Sequence, residues 1–203
     1  MIVIVDYGMG NLRSVQKAFE HGGARAQISP RPDAVRKAAK IVLPGVGAFA
    51  AAMRELEKRK LTEALKEKIA SGTPTLGLCL GLQLLFDESE EAGRGTEAKG
   101  LGLIRGRVRR FKGNMKIPHM GWNTVEIKKR NCPLLRGIES GDYFYFVHSY
   151  YAVPEDASWG LTKTRYGTDF CSSVWKENIF ATQFHPEKSQ VQGLRLIKNF
   201  IKL

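Results

Sequence analysis

For its first 86 residues the chain alternates short apolar runs with stretches of helical periodicity, and few folds accept that order. The run Ile2 to Val5 is apolar and β-branched. "NLRSVQKAFEHGG" (11–23) follows, with Leu12, Val15, Ala18 and Phe19 on one helical face, and Gly22 and Gly23 end it. "ARAQIS" (24–29) reads as a second strand, and "RPDAVRKAA" (31–39) as a short helix with Pro32 and Asp33 in its first turn. "KIVLPGVG" (40–47) is a strand running into a loop, and 48–71 holds one or two helices ending at Gly72. "PTLGLC" (74–79) is another strand, and 80–86 opens another helix. Strands joined through helices run parallel, and a parallel sheet needs cover on both faces. The expected fold is therefore α/β and three-layered, with a largely parallel central sheet flanked by helices.

The second half changes character. "LGLIRGRVRRF", "KIPHMGWNTVEI", "DYFYFVHSYYAV", "WGLTKTRY", "FCSSVWK" and "IFATQF" are strand-like, with Gly, Pro, Asn and Asp between them. They add antiparallel strands to the sheet, and "SQVQGLRLIKNFIKL" (189–203) closes the chain as an amphipathic helix. No linker, repeat or low-complexity segment divides the 203 residues, so one domain over 1–203 is expected.

Composition narrows the function classes. No apolar run reaches the ~18 residues of a membrane span, and "MIVIVDYGMGN" lacks a basic leader and a cleavage site, so a cytoplasmic protein without a membrane role is expected. Three cysteines (Cys79, Cys132 and Cys171), odd in number and far apart, argue against a disulfide framework. The four histidines (His21, His119, His148 and His185) form no HExxH pattern, and neither a metal nor a cofactor is expected. Net charge is +12, densest in "RGRVRRFKGNMK" (105–116), but no RNP-like motif, zinc finger or helix-turn-helix accompanies it. The basic residues read as a solvated face or as a complement to an acidic partner surface rather than as a nucleic-acid site.

In a parallel sheet, functional residues gather at the carboxyl ends of strands. Three Gly-rich stretches fall there: "DYGMGN" (6–11), "LPGVG" (43–47) and "LGLCLG" (76–81). The first two fail the fuller phosphate-loop pattern, since no suitable acidic residue follows on a second strand and no GK[ST] exists. The third has the small-x-nucleophile-x-small form of a nucleophile elbow, with Cys79 between Gly77 and Gly81. Such a turn strains the backbone, so neighbouring Cβ atoms would clash. A helix starting at Leu80 would favour the thiolate by its dipole and would place the Leu80 amide to donate to an oxyanion. A buried cysteine acting as a small hydrophobe fits the pentapeptide equally well. "QFHPEKS" (183–189) supplies a base, His185, held extended by Pro186, and an orienting carboxylate, Glu187. The two motifs together make a Cys-His-Glu triad; by themselves they would also suit a peptidase or a γ-glutamyl hydrolase.

"LGLCLGLQLLF" with "FHPEKS" and "LPGVG", in this order across nearly the whole chain, resembles the class I (triad) glutamine amidotransferases, which have a flavodoxin-like α/β fold. "DYGMGN", "PGVGAF", "CLGLQLLFDESEE", "IPHMGWN" and "YFVHSYYA" narrow the likeness to the branch serving imidazole glycerol phosphate synthase in histidine biosynthesis. Other branches usually carry CLGHQ, where this chain has Leu82. The resemblance implies that Cys79 attacks the amide of L-glutamine, that His185 moves protons and that Glu187 orients His185. It implies an oxyanion hole of Leu80 and an amide around Val46 or Gly47, completed by a peptide flip when the partner engages. Glutamine recognition falls to Gln83, Glu91, His148, Ser149 and Tyr150. The implied partner is a cyclase subunit with a (β/α)8 barrel, met in a heterodimer through Asn11, Pro118, His119, Met120, Gly121, Trp122, Tyr145 and Lys188. The basic run 105–116 has no place in that pattern.

Overall fold

The computed structural model describes residues 1–92 and 97–203 and carries the expected alternation through. In chain order come β1 (Ile2–Val5), α1 (Leu12–His21), β2 (Ala26–Ser29), α2 (Pro32–Arg36), β3 (Lys40–Leu43), α3 (Phe49–Lys58), α4 (Leu61–Ala70), β4 (Thr75–Leu78) and α5 (Leu80–Leu84). The second half gives β5 (Phe86–Ser89), β6 (Ala98–Lys99), β7 (Ile104–Arg110), β8 (His119–Thr124), β9 (Glu126–Ile127), β10 (Tyr143–His148), β11 (Tyr150–Pro154), β12 (Gly160–Tyr166), β13 (Thr168–Lys176), β14 (Ile179–Thr182) and α6 (Gln190–Lys202).

The large sheet runs β2-β1-β3-β4-β14-β13-β11-β7-β5-β6, with β12 and β9 attached at β13. From β2 to β14 all pairings are parallel. Every residue of β1, β4 and β14 is buried, as a strand covered on both faces must be. Beyond β14 the sheet turns antiparallel through β13, β11 and β7.

One face packs Val35 of α2, Phe49, Met53 and Leu56 of α3, and Leu61 and Leu65 of α4. The other packs Val15 and Phe19 of α1 and Leu196, Ile197 and Phe200 of α6. Phe19 and Phe200 meet edge to face at 6.2 Å. None of the described helices is long and apolar enough to cross a membrane.

Two local outcomes bear on function. The helix opened after Cys79 is shorter than its apolar run suggests. It ends at Leu84, because the carbonyls of Leu84 and Leu85 are taken by the amides of Leu101, Leu103 and Ile104, and the chain turns into β5. Separately, β8 and β10 form a two-stranded antiparallel ribbon outside the main sheet, with Trp122 opposite Tyr145 and His119 opposite His148. Alternation along it turns Phe144, Phe146, His119 and His148 inward and leaves Met120, Trp122 and Tyr143 exposed.

Candidate active site

Cys79 stands where β4 gives way to α5, in a backbone conformation (φ 53°, ψ −107°) that residues with a Cβ rarely adopt. Its amide donates to the Thr182 carbonyl of β14 at 2.7 Å, which ties the turn to the neighbouring strand. The glycines beside it serve close approach of backbone. A Cβ on Gly77 would lie 2.9 Å from the Gly81 carbonyl oxygen, and one on Gly81 would lie 1.7 Å from the Leu43 carbonyl oxygen of β3. The elbow therefore folds back tightly onto its own strand and the next. No side chain among the described residues caps α5.

Because β14 pairs with β4, the segment after Thr182 emerges beside the elbow. His185 is buried, and its Nδ1 meets Glu187 Oε1 at 2.7 Å with both side chains almost wholly enclosed. Its Nε2 is buried and meets no geometric hydrogen-bond partner among the described residues, and Cys79 acts on the ring chiefly through charge. Burial opposes an imidazolium, but negative charge on Cys79 and its bond, with those of Glu187, outweigh burial and push His185 up to about 10. Glu187 fixes the ring through its bond to Nδ1.

A cavity of about 330 Å³ opens in front of Cys79, lined by Val46, Gly47, Leu80, Gln83, Glu91, Pro118, Val147, His148, Ser149 and Tyr150. Every residue assigned above to the oxyanion hole or to glutamine thus lies on this one wall. Gly47 takes φ +108°, a conformation open to glycine. Glu91 accepts from the Phe49 amide at 2.9 Å, and burial raises its pKa against that bond. Its neighbour Glu90 is exposed and accepts from the Arg110 amide instead.

The side chain of His148 is engaged inward rather than free in the cavity. Its Nδ1 lies 2.8 Å from the Tyr150 carbonyl, which can only accept, so Nδ1 carries the proton. Nε2 then accepts from His119 Nδ1 at 2.9 Å, and His119 Nε2 accepts from the Asn123 side-chain amide at 3.2 Å. Burial pushes His148 down to about 3 and His119 down to about 4, so both rings are neutral around pH 7. His119, expected at the partner surface, is buried and stacks on Tyr166 at 4.0 Å. The reason is strand alternation: its neighbours Met120 (67% exposed) and Trp122 (46%) take the outward side.

The other expected interface residues lie at or near the surface. Asn11 is exposed and caps α1 by accepting from the Ser14 amide. Pro118 is exposed at the cavity rim, Gly121 is half-buried, and Tyr145 lies under Lys188, whose Nζ is 5.8 Å from the ring centre. Arg105, Arg107, Arg109 and Arg110 are exposed on and at the end of β7.

Three residues of the site escaped the sequence reading. Tyr7, wholly buried, donates to the Pro44 carbonyl at 2.7 Å beneath the "PGVG" segment, and burial, then the charge of Cys79, raises its pKa. Val147 offers its carbonyl to the Cys79 thiol at 3.8 Å. Gln183 contacts both Gln83 and Cys79. Its one available signal was position, two residues before His185.

Comparison with known proteins identifies the family. The family described as glutamine amidotransferase class-I matches residues 3–203. The imidazole glycerol phosphate synthase subunit HisH of Syntrophotalea carbinolica is 54% identical over 207 residues, covering 98% of both chains. The subunit of the same description from Aquifex aeolicus is 50% identical, covering 98% of this chain and 94% of its own. Among solved structures, one described as a glutamine amidotransferase superposes with a TM-score of 0.77 at 17% identity, covering 99% of this chain and 97% of the other. Another, described as PurLQS from Thermotoga maritima, gives 0.77 at 18% identity and 99% and 97% coverage. These two likenesses show the fold.

Proposed function

The chain belongs to the class I glutamine amidotransferase family, and from that premise we propose that it is the glutaminase subunit of an imidazole glycerol phosphate synthase. In that role it hydrolyses L-glutamine and passes the ammonia to a cyclase subunit, which makes imidazole glycerol phosphate and AICAR in histidine biosynthesis. The observation that carries the chemistry is the pairing of Cys79, which lines the cavity, with a buried His185–Glu187 couple.

The steps follow from those groups. Cys79 Sγ attacks the side-chain carbonyl carbon of glutamine, forming a C–S bond and an oxyanion. The Leu80 amide and an amide of Val46 or Gly47 donate to that oxyanion, each such donor being worth about 2.7–4 kcal/mol of barrier. His185 Nε2 gives its proton to the departing nitrogen, the C–N bond breaks, and ammonia leaves a γ-glutamyl thioester. His185 then takes a proton from water, the hydroxide attacks the thioester, and glutamate and thiolate are released. Glu187 keeps Nε2 turned toward the reaction. Gln83, Glu91 and the His148–Tyr150 segment bind glutamine, the last through backbone and Ser149, since the His148 ring is committed elsewhere.

Residues 1–203 act as one glutamine amidotransferase domain in the cytoplasm. The cyclase subunit is a (β/α)8 barrel that docks on Asn11, Pro118, Met120, Gly121, Trp122, Tyr145 and Lys188, and His119 supports that surface from beneath. Glutamate release, measured with and without the cyclase subunit and its nucleotide ligand, is expected to be low for the isolated chain and to rise steeply in the complex. Cys79→Ala is expected to abolish it. Full activity of Cys79→Ala, or of the isolated chain, would overturn the proposal.

A further inference from the structure

Gln183 is fully buried, and its side-chain amide bridges the residue that attacks glutamine and one that binds it. Its Oε1 accepts from Gln83 Nε2 at 3.1 Å, and its Nε2 donates to Cys79 Sγ at 3.7 Å. The backbone amide of Gln183 is fixed to the Ser172 carbonyl at 2.9 Å. The direction of these bonds is forced. Gln83 Nε2 also lies 3.0 Å from the Tyr150 carbonyl, which can only accept, so that atom is the nitrogen. Its second proton then needs an acceptor, which sets Oε1 of Gln183 toward Gln83 and the NH₂ toward sulfur. The same Tyr150 carbonyl accepts from His148, whose other nitrogen accepts from His119, which accepts from Asn123 next to Trp122. One unbroken series of hydrogen bonds thus links the exposed ribbon to the nucleophile, with donors from the ribbon side and from Gln83 converging on the Tyr150 carbonyl.

We propose that Gln183 is a positioning residue for the reaction: it donates to the Cys79 thiolate while fixing the Gln83 amide that reads glutamine. The proposal rests on the glutaminase reading above. A donor to sulfur favours the charged form before attack. It loosens when the sulfur becomes a thioester, a poorer acceptor, and re-forms as the thiolate is expelled. With this bond supplied by Gln183, His185 Nε2 can turn its proton to the departing amine.

Two variants separate the two tasks in the assembled synthase. Gln183→Glu keeps an oxygen for Gln83 but brings a carboxyl oxygen to the sulfur; Gln183→Met removes both bonds at similar volume. The pH dependence of Cys79 alkylation by iodoacetamide, followed by peptide mass mapping, reads the first task without using glutamine. Its midpoint is expected to rise by about one pH unit in Gln183→Met, the worth of one charge-assisted hydrogen bond, and further in Gln183→Glu. For glutamine, KM is expected to rise about threefold in Gln183→Met and to stay near wild type in Gln183→Glu, while kcat falls in both. A purely structural role would move KM and the alkylation midpoint together. An unchanged midpoint in Gln183→Glu overturns the proposal, and that variant decides if Gln183→Met fails to fold. Failure of the glutaminase reading shows separately, as absence of glutamate release by the wild-type complex.

Discussion

At the scale of single residues, the site works by setting two charges against burial. His185 has a folded-state pKa of about 10, against roughly 6.5 for a free imidazole. The native state therefore holds this proton more tightly than the unfolded chain does. The contribution to stability is complete below about pH 6.5 and is lost as pH rises through about 10. Cys79→Ala removes the first of the opposing charges and leaves burial in place. The His185 imidazole, followed by NMR, is expected to titrate at least one unit lower in that variant; an unchanged titration would mean that the thiol is not its partner. Gly81 shows the same economy of space in steric terms. A methyl group there would collide with the Leu43 backbone, so the elbow tolerates no larger residue.

At the scale of elements, the β8–β10 ribbon links chemistry to surface. An isolated two-stranded ribbon is marginal in water. This one is held by Phe144 and Phe146 in the core and by the His119–His148 bond. Its outer side keeps Met120, Trp122 and Tyr143 exposed, with Trp122 edge-on to Tyr145 at 6.0 Å. Trp122→Ala is expected to raise the Kd for the cyclase subunit about thirtyfold, as an aromatic anchor worth ~2 kcal/mol would. Its effect on the melting temperature of the isolated chain should be small. Calorimetric titration checks the first and a thermal scan the second; equal affinity would remove Trp122 from the interface. Most strands were legible, because two-residue alternation and all-apolar runs report which faces are buried, but β5 and β6 were not, and the run "DYFYFVHSYYAV" divides into β10 and β11 in different sheets. The ribbon's outward residues could have been read the same way, yet treating "PHMGW" as one surface block put His119 on the wrong side. The early end of α5 was not legible, because the bonds that stop it come from residues 101–104. Gln183 was missed for a related reason, since its partners lie 100 and 104 residues away in sequence.

At the scale of the whole molecule, sequence showed α/β layering but could not show which strands are neighbours. That information sits in long-range pairing, above all in β14 entering between β4 and β13. Charge also acts at this scale. A net charge of +12 predicts steered association with a partner that presents acidic residues. The association rate constant, measured by stopped flow, is expected to fall about tenfold between low and high salt while dissociation changes little. A flat salt dependence would mean that the basic strand β7 and its surroundings serve another end. The insertion of β14 has a consequence for the chain's own synthesis. Cys79 leaves the ribosome before Gln183, His185 and Glu187 exist, so the growing chain carries the thiol without its partners. The site is complete only with the last of the described strands, β14, in its place between β4 and β13, so an unfinished chain lacks the means of wasting glutamine.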